Sequence, residues 1–193
     1  PWVSAKDIIL EVLRQFGTKG NVNVVFEYAG TGVAGLSVPE RATITNMGAE
    51  CGVTTSIFPS DATTKAFLEA QGRGKDWTEV AADPDAEYDR TVTIRLDDLV
   101  PLAATPHSPG NIATVESLPK LEVDQVCIGS CTSSSYQDLV TVARILKGKV
   151  AAPNGSLVGA PGSRQVPQAI SAEGSLGDLS AAVITAGSVN TAA

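Results

Sequence analysis

The sequence predicts an α/β protein with mainly parallel strand pairing, and three observations support this fold class. Short apolar segments typical of strands alternate along the chain with segments typical of helices, which is the order found in parallel sheets. Hydrophobic residues make up 43% of the 193 residues and charged residues 18%, the balance of a globular protein. Aromatic residues are sparse at 5%, whereas Gly, Ala, Val, Ser and Thr are plentiful, which suits tightly packed layers.

The predicted helices begin at residues that can cap the free backbone N–H groups of a first turn. Ser4 can cap the first helix, with Asp7 three residues later. Ser37 and Glu40 have the same spacing at the start of a second helix, which we expect to end at Gly52. Three more helices are predicted over residues 61–71, 136–146 and 165–172.

Short apolar runs between these helices predict strands. One of them depends on alternation, which would place Val92, Ile94 and Leu96 on the same strand face. The predicted strands cover residues 23–28, 53–58, 92–96 and 123–128, and residues 157–162 are predicted as a strand followed by a turn.

A proline-rich connection separates the two halves of the chain and is the best candidate for a domain boundary. We therefore predict two domains, residues 1–100 and residues 101–193. The connection carries Pro101, Pro106, Pro109 and Pro119.

Composition argues against several classes of partner. The net charge is −7 and there is no basic run, so we expect no nucleic-acid partner. No apolar run approaches the length of a membrane span, so we expect no membrane partner. Three cysteines are an odd number that fits no disulfide framework, which favours the reducing cytoplasm. The chain begins at Pro1 with neither an initiator Met nor a signal sequence, which suggests a piece of a longer protein.

The turn around Cys131 is the strongest candidate for chemistry. A buried-looking strand runs into Gly129-Ser130-Cys131, and we expect a helix to open within residues 133–135. A thiol at a helix N-terminus is stabilised as a thiolate, which can act as a nucleophile or as a soft metal ligand. Without further information, a packed and inert thiol is the more common role of such a residue.

Residues 128–138, Ile-Gly-Ser-Cys-Thr-Ser-Ser-Ser-Tyr-Gln-Asp, closely resemble the turn that carries the first cluster-binding cysteine in aconitases. The resemblance extends over nearly the whole chain and implies aconitase-like three-layer α/β domains. These would be the complete second domain and the first part of the third. The other two cluster cysteines of the family lie in a later Cys-Gly-Pro-Cys motif, which we expect to begin where this chain ends. The further matching blocks, in family order, are residues 3–10, 27–33, 42–50, 54–59, 88–89 and 161–163.

The resemblance implies a hydro-lyase that interconverts citrate and isocitrate through cis-aconitate on a [4Fe-4S] cluster. Cys131 resembles the first cluster ligand, and Glu50 matches the acidic residue near the iron-bound hydroxyl. Asn46 lies one helical turn earlier and matches an amide near the cluster. Ser133 occupies a position near the cluster at which the family usually has Asn. The partners implied are citrate or isocitrate and the remaining aconitase domains.

The large subunits of isopropylmalate dehydratases are related to aconitases and share the Gly-Ser-Cys-Thr turn. They usually differ at residues 46–50 and 134–136, so the resemblance favours an aconitase. Because this chain supplies one of three cysteine ligands, we expect the isolated chain to lack the cluster and to be inactive.

Two other classes of function remain open. The chain can be a truncated scaffold with a structural or binding role. It can also be a cysteine hydrolase with Cys131 as the nucleophile, although the sole histidine, His107, has no evident orienting partner. We expect structural roles for Cys51 and Cys127, which lie outside the ligand positions of the family.

Overall fold

The computed structural model describes residues 2–153 and 155–182, which form two compact units. The chain divides between Leu118 and Pro119, at the far end of the proline-rich connection. The sequence predicts this boundary at the near end of the connection, after residue 100. Residues 101–118 lie with the first unit because two short strands in this stretch pack against its first helix.

The first helix, α1 (Ala5–Phe16), forms as the sequence predicts. The backbone N–H and the hydroxyl of Ser4 donate to the Asp7 carboxylate at 2.7 and 3.0 Å, which closes the first turn. Helix α1 ends at Gly17, which adopts the left-handed φ of +69°. The apolar stripe of α1 forms the centre of the first unit's core, together with the buried side chains of Phe26, Ile44, Met47 and Cys51.

A parallel strand pair lies in this unit, with a helix between the two strands along the chain. Strand β1 (Val25–Glu27) pairs with β2 (Thr55–Ile57), and both are shorter than predicted. Helix α2 (Val38–Gly48) is followed by a 3₁₀ turn over Ala49–Cys51, and Gly52 ends it at φ +75° as predicted. Helix α3 (Ala62–Ala70) begins after Asp61, whose carboxylate accepts from the Thr64 N–H at 3.1 Å.

The predicted strand over residues 92–96 is wrong. These residues are in no strand, and a 3₁₀ turn begins at Leu96. The alternation reflects burial instead, because Val92 and Ile94 are partly buried and Ile94 packs against the core. The unpredicted ladder lies among the prolines, where β3 (Leu102–Ala104) pairs antiparallel with β4 (Ile112–Thr114).

The second unit contains another parallel pair, β5 (Gln125–Gly129) with β6 (Ser156–Ala160). Helices α4 (Tyr136–Leu146) and α5 (Gln165–Ala172) have the predicted bounds, whereas α6 (Ser175–Ala182) was not predicted. Their buried contacts form a separate core of Leu139, Val140 and Ile170.

Helices with mainly parallel strand pairs confirm the predicted α/β class. None of the helices described is both long and apolar enough to cross a membrane.

Candidate functional site

The turn that carries Cys131 follows directly from β5. Strand β5 ends at Gly129, where a Cβ atom would lie 2.8 Å from both the Cβ and the carbonyl oxygen of Ala160 on β6. Glycine therefore permits this close approach of the two strands. Ser130 then adopts a left-handed φ of +71°, which reverses the chain and leaves the Cys131 side chain exposed.

Hydrogen bonds and packing that involve Ser134 and Gly162 fix this turn. Ser134 is 1% exposed, and its hydroxyl donates to the carbonyl oxygen of Ser130. The Gly162 N–H donates to the Ser134 carbonyl oxygen at 3.2 Å. A Cβ on Gly162 would lie 2.8 Å from the Ser134 hydroxyl oxygen, so residue 162 has no room for a side chain. We call this set of contacts the Ser134–Gly162 clamp.

The helix after the turn, α4, begins with a complete capping box. Helix α4 is capped by Ser135, whose hydroxyl oxygen accepts from the Asp138 N–H at 3.2 Å. The Asp138 carboxylate in turn accepts from the Ser135 N–H and hydroxyl at 3.0 and 2.7 Å. The stabilising effect of a helix N-terminus falls off within its first turn. The helix thus opens within residues 133–135, as predicted, and Cys131 precedes its capping residue by four positions along the chain.

Asn46 and Glu50 lie near the end of α2. Asn46 is in its last turn, Glu50 is in the 3₁₀ turn that follows, and both side chains are exposed. Within the part of the chain that the structure describes, neither side chain has a hydrogen-bond partner. Both polar groups are therefore available to a ligand.

The four predicted site residues fall into two pairs. The first unit holds Asn46 and Glu50, and the second unit holds Cys131 and the partly buried Ser133 two residues later. Within each pair the two residues lie four or two positions apart along the chain.

The other two thiols differ sharply in their surroundings. Cys51 is fully buried in the core of the first unit. Burial, together with the negative charge of the adjacent Glu50, raises the pKa of the Cys51 thiol to about 11. Cys127 lies on β5 and is exposed.

A cavity of about 510 Å³ in the first unit contains none of the predicted site residues. Its charged groups are already paired, since Arg14 contacts Glu11 at 2.7 Å and Arg95 contacts Asp98 at 3.2 Å. The volume of this cavity therefore does not indicate chemistry.

Comparison with known proteins gives the family. The model of the aconitase family (aconitate hydratase) matches residues 1–122 and 113–188. This chain belongs to the aconitase family. Similar proteins include "3-isopropylmalate dehydratase large subunit 2" of Rubrobacter xylanophilus, 39% identical over 173 residues, which are 90% of this chain and 41% of the relative. The protein of the same name from Archaeoglobus fulgidus is 40% identical over 85% of this chain and 39% of the relative. The "3-isopropylmalate dehydratase large subunit" of Lachnoclostridium phytofermentans is 40% identical over 77% of this chain and 35% of the relative.

This chain spans about two fifths of the length of the first two of these aconitase-family relatives. The expectation from sequence favoured an aconitase over an isopropylmalate dehydratase. The names of these relatives support the alternative better.

The residues present fit one ligand position of an aconitase-type iron–sulfur cluster. Such clusters are held by cysteine thiolates, which must be accessible and fixed in place. Cys131 meets both conditions, because it is exposed and its turn is clamped. Across residues 2–153 and 155–182 no three His, Cys, Asp or Glu side chains come together as a metal site.

The residues that support these positions were not predicted from the sequence. Ser134 and Gly162 hold the Cys131 turn, and Asn21 contacts the turn that carries Glu50. The resemblance over residues 161–163 was a signal for Gly162, although its contact with Ser134 could not be predicted. No local pattern indicated Asn21.

Proposed function

We propose that this chain is part of an iron–sulfur hydro-lyase of the aconitase family. The exposed Cys131 thiol on its clamped turn is the observation that carries the proposal. In this role Cys131 binds one iron of a [4Fe-4S] cluster, and the remaining ligands come from polypeptide beyond residues 2–182. When bound, such a cluster supplies a Lewis-acidic iron for a substrate hydroxyl and carboxylate.

Glu50 is proposed to exchange a proton with the hydroxyl group that leaves as water or returns. Its carboxylate is exposed and is not occupied by a hydrogen bond within the described residues. Asn46 is proposed to donate a hydrogen bond from its amide toward the cluster or the substrate, and Ser133 to offer a hydroxyl beside Cys131.

The proposed substrate is 3-isopropylmalate, because the relatives described above carry that name. We propose that further domains and a second subunit complete the enzyme, since those relatives are named as large subunits. Residues 1–118 would then be the second domain and the remainder the start of the third. Aconitate hydratase is the second candidate, supported by the match of residues 46–50 and 134–136 to aconitases.

The test uses the full-length polypeptide, assembled with its partner and reconstituted anaerobically with iron and sulfide. Dehydration of 3-isopropylmalate and of citrate is followed by the ultraviolet absorbance of the unsaturated product. We expect 3-isopropylmalate to be the better substrate. Faster turnover of citrate would instead identify an aconitate hydratase, and turnover of neither would favour the scaffold.

The ligand role of Cys131 is tested by C131S, with C127S as the matched control on the same unit. We expect C131S to lose bound iron and activity, whereas C127S retains both. A C131S protein that keeps its full iron content would refute the assignment. The 193-residue chain alone should show no turnover, because it offers one thiolate at the candidate site.

A further inference from the structure

The turn that carries Glu50 is tied to the end of α1 by one side chain. The side-chain amide nitrogen of Asn21 donates to the carbonyl oxygen of Cys51 at 2.7 Å. The same nitrogen lies 3.3 Å from the carbonyl oxygen of Phe16, the last residue of α1. Asn21 thus connects the C-terminal ends of α1 and of the Glu50 turn.

The orientation of this amide is determined by its surroundings. Both groups that face the nitrogen are carbonyl oxygens, which can only accept hydrogen bonds. The backbone of Asn21 is itself fixed, because its carbonyl oxygen accepts from the Val24 N–H at 3.2 Å immediately before β1. The side chain therefore extends from an anchored point.

The rest of the turn is also closely packed, so its backbone has little room to shift. The Cys51 side chain is fully buried in the core. Gly52 closes the turn by donating from its N–H to the Ala49 carbonyl oxygen at 2.9 Å. A Cβ on Gly48 would collide with the Ser56 hydroxyl oxygen, so the end of α2 lies directly against β2.

From this geometry we infer that Asn21 is a positioning residue that holds the Glu50 turn in its working place. The inference rests on the catalytic role of Glu50 proposed above. Asn21 acts on the reaction only through the backbone of residue 51, which is adjacent to Glu50. Misplacement of a reacting group by about 1 Å can lower a rate by about 100-fold.

The first test uses the 193-residue chain and needs neither cluster nor substrate. N21A removes both hydrogen bonds, and amide hydrogen exchange followed by NMR reports on the turn. We expect the Gly52 N–H to exchange at least about tenfold faster, while amides in the middle of α1 keep their protection. N111A is the matched control, because Asn111 also donates its side-chain amide to a backbone carbonyl, that of Pro106 at 3.1 Å. Unchanged exchange at Gly52 in N21A would overturn the inference.

The second test is a double-mutant cycle in the assembled full-length enzyme. N21A is expected to lower kcat by about 10- to 100-fold with a smaller change in KM. In the E50Q background the same substitution should have little further effect, because Asn21 acts through Glu50. A structural role without this connection would lower both backgrounds by the same factor and would overturn the inference.

The cycle also separates the two proposals. If E50Q has no effect on kcat, the catalytic role of Glu50 fails, and the inference about Asn21 fails with it. If E50Q lowers kcat but N21A does not, only the positioning role is refuted. N21D provides a second variant of nearly unchanged shape, in which a carboxylate faces the two carbonyl oxygens and cannot donate to them.

Discussion

We expect Asp61 to be the carboxylate whose loss most destabilises the first unit, because it faces the buried guanidinium of Arg41. Arg41 is only 4% exposed and donates to the carbonyl oxygens of Val33, Leu36 and Pro59 at 3.0–3.2 Å. Its charge is balanced by Asp61, whose two carboxylate oxygens lie at 2.9 and 2.7 Å. Removing Asp61 would leave a buried cation with neutral acceptors alone.

Two substitutions separate the charge from the helix cap. D61N keeps a capping side chain for α3 and loses the charge, and D61A loses both. Breaking a buried ion pair costs about 3–5 kcal/mol. Because the Asp61 side chain is 31% exposed and three carbonyls remain, we expect about 2 kcal/mol for D61N. D61A should lose about 1 kcal/mol more through the cap.

Urea unfolding at pH 7 measures these differences in free energy of unfolding. Both tryptophans lie in the first unit, so their fluorescence follows that unit alone. The matched control is D98N, whose partner Arg95 forms an exposed pair and should contribute less than about 0.5 kcal/mol. A D61N protein as stable as the unsubstituted chain would refute the reasoning.

The same pair predicts a pH dependence. Hydrogen bonds from Arg41, assisted by the Thr64 N–H, lower the pKa of Asp61 from 3.8 to about 2. A lowered carboxyl pKa contributes stability that is fully present above pH 3.8 and is lost as the pH falls toward 2. The stability difference between the unsubstituted chain and D61N should therefore shrink over that interval. A difference that stays constant down to pH 2 would contradict the assigned pKa.

Two further predictions concern the thiols and the clamp. G162A places a methyl group against the Ser134 hydroxyl, so the free energy of unfolding of the second unit should fall by about 1–3 kcal/mol. Hydrogen exchange of the α4 amides measures this loss, and unchanged exchange would argue against the clamp. Alkylation with iodoacetamide at pH 8, followed by mass spectrometry, should label exposed Cys127 and Cys131 and leave Cys51 unmodified until the chain is unfolded, because Cys51 is buried and its pKa is raised to about 11. Rapid labelling of Cys51 in the folded chain would contradict its burial.

Local chemistry explains which elements were predictable. Helix α1 and helix α2 have their own caps and stop glycines, and these signals act within a few residues. Helices α4 and α5 also carry enough local signal for their bounds to be predicted. Strand pairing depends on distant partners, so the alternation at residues 92–96 indicated a strand where the structure has only partial burial. The β3–β4 ladder was missed because prolines on both sides resemble a linker.

In the candidate site, too, local features were predictable and contacts between distant residues were not. The Gly-Ser-Cys sequence marked a turn after a strand, and Cys131 is exposed on that turn. The helix start within residues 133–135 was predictable because the capping residue Ser135 and Asp138 lie three positions apart. The contacts made by Asn21 and Gly162 join residues that are about thirty positions apart, a separation that local patterns do not encode.

The Ser134–Gly162 clamp has a consequence for the order in which this region acquires its shape. A ribosome releases Cys131 well before it releases Gly162, so the nascent sulfur-bearing loop lacks its later partner. The loop can adopt its final conformation only after β6 and Gly162 have been synthesised and have packed against it. The clamped form of the Cys131 turn therefore cannot be complete before residue 162 has been synthesised.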